Sequence, residues 1–289
     1  MRLRRAKHRF PRGRDALALA LVALVALGAR KTPDVAAPGK LWVRLGPAQP
    51  EEWLYVFPEE GQTFQEYREG GPVRPTAKRK TIYIQPWLTR PPPDPRLLER
   101  LRDTLAAFFG RKAALLPPAS LPETAYDHVR RQYAVSILIA RLAEALPDDA
   151  LFLIAVTDRD LRAPGLSHLY GWASLDRRVG VISLARLLDP AQPLLFRRRA
   201  LSLAAHEAGH MLSMGHCTFY RCLMNGCMTL AESDARPFLL CPVCSAKLAW
   251  NLETTPSSHY QAMKALLEVQ GLAADSARSG RAFALTRSP

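Results

Sequence analysis

Alternating apolar and polar positions define a series of short elements in the first half of the chain. Residues 81–88 (TIYIQPWL) place β-branched and aromatic side chains at alternating positions, which predicts a strand. Residues 97–109 repeat apolar side chains at helical spacing and end before Gly110, a residue typical of helix C-termini. Residues 113–116 predict a second short strand.

Longer apolar runs follow in the second half. Residues 126–146 carry apolar side chains on one helical face and predict a long helix. The unbroken apolar run at residues 151–157 predicts a strand buried on both faces. Residues 194–205 are rich in leucine, alanine and arginine and predict a helix that continues through His210. Further helices are predicted at residues 246–252 and 260–269. Strands that alternate with helices in this way predict an α/β fold.

The composition along the chain indicates one main domain with flanking segments. Residues 30–76 hold many prolines and glycines and predict an irregular N-terminal extension that packs on the core. Residues 77–272 contain the periodic elements and predict the main domain, which is long enough to bury a substantial core. Residues 273–289, rich in alanine, arginine and serine, predict a disordered tail. We expect a monomer.

The net charge of +14 is concentrated at the N-terminus. Residues 1–14 contribute seven positive charges and no negative ones, and no basic stripe interleaved with aromatic residues follows, so nucleic-acid binding is not predicted. The apolar residues 16–29 that come next predict a signal peptide or signal anchor at residues 1–29. The protein is therefore expected to be exported to the periplasm or secreted, or to be tethered to the membrane. A misassigned start codon would instead give a cytoplasmic protein.

Three histidines between residues 206 and 216 have the spacing of zinc ligands. His206 and His210 are four residues apart, so a helix presents both imidazoles on one face. Glu207 has the position that serves as general base in H-E-x-x-H sites. His216 supplies the third ligand expected of a catalytic zinc, provided that the chain turns sharply after about Leu212.

The residue at the expected turn is unusual. Extended versions of this motif have a glycine at position 213, whereas this chain has Ser213. A left-handed conformation costs a residue other than glycine about 1–2 kcal/mol, which a metal site can offset. Alternatively, Gly215 shifts the turn along the chain. A turn distorted at Ser213 would favour a second function, a catalytically impaired, zinc-dependent module that binds peptides or proteins.

Two cysteine pairs follow the histidines. The pair Cys217 and Cys222 and the pair Cys241 and Cys244 suit a closed, tetrahedral structural zinc site. The alternative is two disulfides, which an oxidising compartment would favour. Cys227 is left over and has no assigned role. With the histidine site, the sequence predicts two zinc ions per chain.

The order of these residues resembles the archaemetzincin family of zinc metallopeptidases, within the metzincin clan. The matching positions are His206, Glu207, His210, His216, Cys217, Cys222, Met224, Cys241 and Cys244. The chain departs from the family pattern at Ser213, and sixteen rather than seventeen residues separate Met224 from Cys241. Segments within residues 151–187 also resemble the family, so the similarity covers roughly residues 80–250.

The resemblance implies a metzincin-like zincin fold, in which a mixed twisted sheet lies over the active-site helix and a zinc-bound C-terminal subdomain follows. It also implies hydrolysis of peptide bonds in a peptide or protein substrate by metal-activated water, with Glu207 as general base. Met224 would form the methionine turn beneath the metal. The edge strand that pairs with the substrate backbone would consist of Val179, Gly180, Val181, Ile182 and Ser183.

Overall fold

The structure, a computed structural model, describes residues 41–287. The leader predicted at residues 1–29, and residues 30–40 of the predicted extension, lie outside this described part. Within residues 41–287, no helix is both long and apolar enough to cross a membrane. The segment before the first strand is mainly irregular and packs on the core through the buried side chains of Trp42 and Tyr67.

In the described residues the strands lie between residues 81 and 183, and only helices follow the last strand. The strands are β1 (Thr81–Trp87), β2 (Ala113–Leu115), β3 (Tyr126–Asp127), β4 (Gln132–Ala134), β5 (Ala150–Thr157), β6 (Leu161–Ala163), β7 (Leu166–Leu169), β8 (Gly171–Ala173) and β9 (Val179–Ser183). The helices are α1 (Trp53–Val56), α2 (Phe64–Glu69), α3 (Leu97–Phe109), α4 (Val135–Glu144), α5 (Pro193–Met211), α6 (Leu230–Ala235), α7 (Pro242–Leu252), α8 (Pro256–Val269) and α9 (Ala273–Arg287).

The main sheet contains five strands in the order β2-β1-β5-β9-β8. Strands β2, β1, β5 and β9 are parallel, and β8 runs antiparallel to β9 at the edge. The central strand β5 is buried along its whole length because its side chains alternate between two cores. Phe152 and Ile154 pack with residues of α3 and α5, whereas Leu153 and Ala155 pack with residues of α4. The mixed α/β fold predicted from the sequence is therefore confirmed.

Several predicted elements agree with the structure to within a few residues. The first strand, the helix at residues 97–109 and the strand that follows are all present. Gly110 ends this helix in the left-handed conformation, with φ of 58°, as its position predicted. The helix predicted from residue 194 through His210 is α5, which begins with Pro193 in its first turn.

The helix predicted at residues 126–146 is wrong in its first half. Only Val135–Glu144 is helical, and the preceding residues form the hairpin of β3 and β4. The Asp127 side chain accepts two backbone N–H groups of the hairpin turn, and Arg131 has a left-handed φ of 56°. Tyr133 then pairs with β6 in a separate four-stranded sheet, β3-β4-β6-β7. Pairing with a distant strand thus overrides the local helical pattern.

The disordered tail predicted at residues 273–289 is wrong for residues 273–287, which form α9. Phe283 and Leu285 are the only large apolar side chains of residues 273–287, and Ser279 and Ala282 are buried because small residues let α9 approach α8 closely. Asp275 also forms an ion pair with Arg198 of α5 at 2.7 Å, and the Asp275 side chain is only 9% exposed. The tail therefore docks through small side chains and one largely buried ion pair.

The second turn of α5 is anchored by three consecutive arginines. Each arginine pairs with an aspartate of a different segment, at 2.6–2.9 Å: Arg197 with Asp94, Arg198 with Asp275, and Arg199 with Asp234. These contacts fix the helix that carries the candidate metal ligands against three neighbouring segments.

Candidate metal centre

The three histidines at residues 206–216 converge at the C-terminal end of α5. One ring nitrogen of each histidine lies within 4.8 Å of those of the other two. The Nε2 atoms of His206 and His210 are 3.1 Å apart, and the ring of His216 lies 4.9 Å from that of His210 between centroids. The structure thus brings together all three residues that the sequence singled out.

The opposite nitrogen of each ring contacts an oxygen. These contacts join Nδ1 of His206 to the Leu223 carbonyl at 2.8 Å, Nδ1 of His210 to the Met214 carbonyl at 2.7 Å, and Nδ1 of His216 to the Glu59 carboxylate at 2.9 Å. A carbonyl oxygen only accepts, so Nδ1 of His206 and of His210 carries the proton and Nε2 presents a lone pair. Two lone pairs 3.1 Å apart cannot hydrogen-bond to each other. A cation that accepts both satisfies them, and three imidazoles suit zinc.

Burial keeps the first two imidazoles neutral. It lowers the pKa of His206 well below its ordinary value, with a further contribution from the Arg236 charge. Burial likewise lowers the pKa of His210 to about 3. Both rings are therefore unprotonated at neutral pH, which is the form that binds a metal.

Glu207 lies buried beside the histidines and against the edge strand of the main sheet. A Cβ atom at Gly171 of β8 would lie 2.6 Å from Oε1 of Glu207, so only glycine fits opposite this carboxylate. Burial raises the pKa of Glu207 to about 8, and the Arg236 charge opposes this shift. A divalent cation at the histidines would oppose this rise in the Glu207 pKa in the same way as the Arg236 charge does. The carboxyl group is thus placed where it can exchange a proton near neutral pH.

The chain reverses direction at Ser213 and not at Gly215. Ser213 has a left-handed φ of 64°, and its N–H donates to the His210 carbonyl at 2.8 Å. Its hydroxyl donates to the Leu175 carbonyl at 2.8 Å and accepts the Val73 N–H at 3.1 Å. Two hydrogen bonds worth about 1 kcal/mol each offset the strain of a non-glycine residue in this conformation.

We expect Ser213→Ala to lower the free energy of unfolding by about 1–3 kcal/mol, because it keeps the strain and loses both hydroxyl bonds. Ser213→Gly loses the same bonds but relieves the strain, so it should be about 1 kcal/mol more stable than the alanine variant. Urea denaturation of the two variants measures the difference. Equal stability of the two would show that the left-handed φ carries no strain.

Met224 packs against α5 between the first two histidines. Its side chain is fully buried, and a Cβ atom at Gly209 would lie 2.7 Å from its sulfur. Gly209 is therefore the residue that lets the methionine reach the helix backbone. The Met224 carbonyl accepts the N–H of Cys217, which ties this turn to the residue after His216.

The four predicted cysteine ligands form a second cluster. The sulfur atoms of Cys217, Cys222, Cys241 and Cys244 are all buried and lie within 4.8 Å of one another. The Cys217 and Cys241 sulfurs are 3.6 Å apart, well beyond the length of a disulfide bond. All five cysteines of the chain are free thiols, so the geometry favours one tetrahedral site over two disulfides. Cys227 lies outside the cluster, and burial raises the pKa of its thiol.

The two clusters are covalently and sterically linked. Cys217 directly follows His216, and Leu223, whose carbonyl orients His206, lies between Cys222 and Met224. The N–H of Leu223 donates to the Leu239 carbonyl just before the second cysteine pair. A metal at the cysteines would therefore fix the backbone that positions two of the three histidines.

The predicted edge strand Val179–Ser183 is wrong in its position. This segment is β9, which lies between β5 and β8 and is buried throughout. A turn with Arg178 in the left-handed region folds β8 back along β9, so β8 becomes the edge. Because N–H and C=O groups alternate sides in an antiparallel pair, Gly171 and Ala173 direct theirs away from β9. No periodic pattern marked β8, because it has only three residues.

Sequence analysis also missed Glu59. Its carboxylate contacts His216 and accepts a hydrogen bond from the Trp53 indole at 2.7 Å. Burial favours the protonated acid, but the hydrogen bonds from His216 and Trp53 hold the pKa of Glu59 below its ordinary value. Glu59 precedes His216 by 157 residues, so no local spacing could connect them.

Comparisons with known proteins show what this chain is similar to. The model of "Peptidase family M54" matches residues 101–250. The archaemetzincin of Methanopyrus kandleri is 33% identical over 157 residues, which cover 54% of this chain and 89% of that protein. Archaemetzincin-2 of Mus musculus is 29% identical over 244 residues, which cover 68% of this chain and 67% of that protein.

Two solved structures of similar proteins also match this chain. The crystal structure of the Methanopyrus kandleri archaemetzincin has a TM-score of 0.56 and 30% identity, and the match covers 62% of this chain and 98% of that one. The archaemetzincin of Archaeoglobus fulgidus, crystallised with malonate, has a TM-score of 0.51 and 29% identity, with 58% and 99% of the two chains covered.

Proposed function

Because the chain belongs to peptidase family M54, the archaemetzincins, and is a zinc metallopeptidase, we propose that His206, His210 and His216 hold its catalytic zinc and that Glu207 is the general base. One observation carries the proposal. The Nε2 atoms of His206 and His210 face each other as lone pairs, with His216 beside them and the Glu207 carboxylate buried next to them. A peptide or protein is the substrate.

Glu207 performs the proton transfers of the proposed reaction. Zinc at the histidines supplies Lewis-acid polarisation of the scissile carbonyl and makes water more acidic. Oε1 of Glu207 accepts the proton that the attacking water loses, and the same carboxyl group then donates it to the leaving amine. The tight approach of Gly171 holds this carboxylate at the sheet edge, where the scissile bond would lie.

We further propose that β8, and not β9, binds the substrate backbone. The N–H and C=O groups of Gly171 and Ala173 face away from β9, so an extended peptide can add to the sheet there as an extra strand. This position puts the peptide next to Glu207 of α5. Backbone pairing gives affinity without demanding particular side chains at every position.

The four cysteines are proposed to hold a second, structural zinc, which gives two ions per chain. Their burial and common focus support this assignment, as does the N–H of Cys241 directed at the Cys222 sulfur at 3.3 Å. Thiolates that accept backbone N–H groups are typical of closed zinc sites.

The alternative of a catalytically impaired binding module depended on a distorted turn at Ser213. The left-handed φ at Ser213 and the convergence of the three imidazoles favour the enzyme instead.

A peptide-library assay tests the proposed activity. We expect the full-length protein, purified without chelators, to cleave library peptides at internal or terminal bonds, which mass spectrometry identifies. A zinc chelator should abolish the cleavage, and added zinc should restore it. Cleavage that persists in chelator would contradict a zinc mechanism. If the histidine site holds zinc but no peptide is cleaved, the binding module becomes the better description.

A further inference from the structure

The third histidine differs from the other two in the group that holds its Nδ1 atom. His206 and His210 contact backbone carbonyls from within the motif region. His216 contacts a carboxylate, that of Glu59, whose two oxygens lie 2.9 and 3.1 Å from Nδ1. Because a carboxylate is a stronger acceptor than a carbonyl, this contact fixes the tautomer of His216 and makes Nε2 a better metal ligand.

Glu59 is itself held in place by Trp53. The indole N–H donates to Oε1 of Glu59 at 2.7 Å, the same oxygen that lies nearest His216. The Trp53 ring also meets the His216 ring edge-on, with 5.1 Å between centroids. Trp53, Glu59 and His216 therefore form a hydrogen-bonded triad that continues toward the metal position.

The triad is docked on the loop that follows Met224. A Cβ atom at Gly226 would lie 2.5 Å from the Trp53 ring, so this glycine makes room for the indole. One oxygen of the Glu232 carboxylate accepts the backbone N–H of Trp53 at 2.9 Å, and the other accepts the backbone N–H of Met228 at 2.6 Å. Helix α1 is thus bound to the metal region through its backbone as well as its side chains.

The same segment supports the turn that carries His216. The Gln62 amide donates to the Ser213 carbonyl at 3.3 Å and accepts the Gly215 N–H at 3.1 Å. The Tyr67 hydroxyl donates to the Leu212 carbonyl at 2.8 Å. Residues 53–67, named here the N-terminal brace, therefore contact four of the five positions from Leu212 to His216. The brace precedes the region matched by the family model, which begins at residue 101.

We propose that Glu59 is a positioning residue for the catalytic metal, and that the N-terminal brace uses it to hold His216 in its metal-binding orientation. The inference rests on the proposed zinc at the three histidines. His216 needs this support because it follows a reversed chain at Ser213 and lies in no helix, unlike His206 and His210. Loss of such an outer partner weakens metal affinity by about 10–100-fold.

Zinc competition with a chromophoric chelator tests the role of Glu59 independently of peptidase activity. We expect Glu59→Ala to weaken the histidine-site affinity about 10–100-fold. Glu59→Gln, which keeps an acceptor but loses the charge, should lie between wild type and Glu59→Ala. Trp53→Phe, which keeps the ring and loses the indole N–H, should show a smaller loss. Glu51→Ala removes an exposed carboxylate just before the brace and serves as the matched control.

The outcomes separate positioning from general destabilisation. Zinc at the four cysteines should be the same in Glu59→Gln as in Glu51→Ala. An affinity of Glu59→Ala equal to that of Glu51→Ala would overturn the proposal. If Glu59→Ala does not fold, wild-type affinity in Glu59→Gln overturns it. Wild-type protein that binds no zinc at the histidines would instead refute the proposed catalytic site itself.

Discussion

Glu207→Gln is expected to lower kcat/KM for peptide cleavage by about 10²–10⁴-fold while the histidine site keeps its zinc. Glutamine preserves the volume that packs against Gly171, so the buried site keeps its shape, but the amide cannot accept a proton from water. Glu207→Ala should be at least as impaired, because it also loses this packing. Steady-state kinetics on a cleaved peptide measure the loss, and metal analysis of the same samples measures the zinc.

The matched control is Glu144→Gln, which alters a carboxylate of α4 that is 67% exposed and lies on the other face of the sheet. It should retain both activity and zinc. Turnover of Glu207→Gln at the level of this control would refute the role of general base. Loss of zinc together with activity would mean that Glu207 supports the metal and not the proton transfer.

The family, the α/β fold and the site could be predicted from sequence because their signals are local. Three residues between His206 and His210 are enough to place two imidazoles on one helix face, and two residues between Cys241 and Cys244 are enough to form half of a tetrahedral site. The family match and the solved relatives confirm the archaemetzincin resemblance that followed from these spacings.

The features that sequence analysis missed depend on contacts between distant segments. Residues 126–134 have helical periodicity but form the hairpin of β3 and β4, of which β4 pairs with β6. Strand β8 becomes the edge only because the chain folds back along β9. The alanine- and serine-rich α9 is stabilised by close packing on α8, which composition does not reveal. Glu59 belongs to the same class, since only the folded chain brings it to His216.

Ser213 departs from the family pattern, and contacts with distant segments compensate for this difference. The family glycine would adopt a left-handed φ without strain, whereas Ser213 adopts it with hydroxyl bonds to Leu175 and Val73. Val73 lies in the N-terminal extension. The extension therefore supports the turn at Ser213 as well as His216.

Cys241→Ser is expected to abolish peptide cleavage although all three histidines and Glu207 remain. Wild-type protein purified without chelators should contain two zinc ions per chain, and the variant should lose at least one. Cys241 lies at the centre of the cluster, since its sulfur is 3.6 Å from that of Cys217 and accepts the Cys244 N–H at 3.5 Å. A structural zinc contributes on the order of 10–16 kcal/mol to folding, comparable with the whole stability of a domain.

Loss of the zinc at the cysteines should also disturb the histidines, because the backbone joins the two clusters. Without the cluster, Cys217, which follows His216, and the Leu223 carbonyl, which orients His206, lose the anchor that the cysteine site provides. Cys227→Ser is the matched control, because this thiol lies outside the cluster; it should keep two zinc ions and activity within a few-fold of wild type. Cys241→Ser with two zinc ions would show that the cysteines do not bind the structural ion.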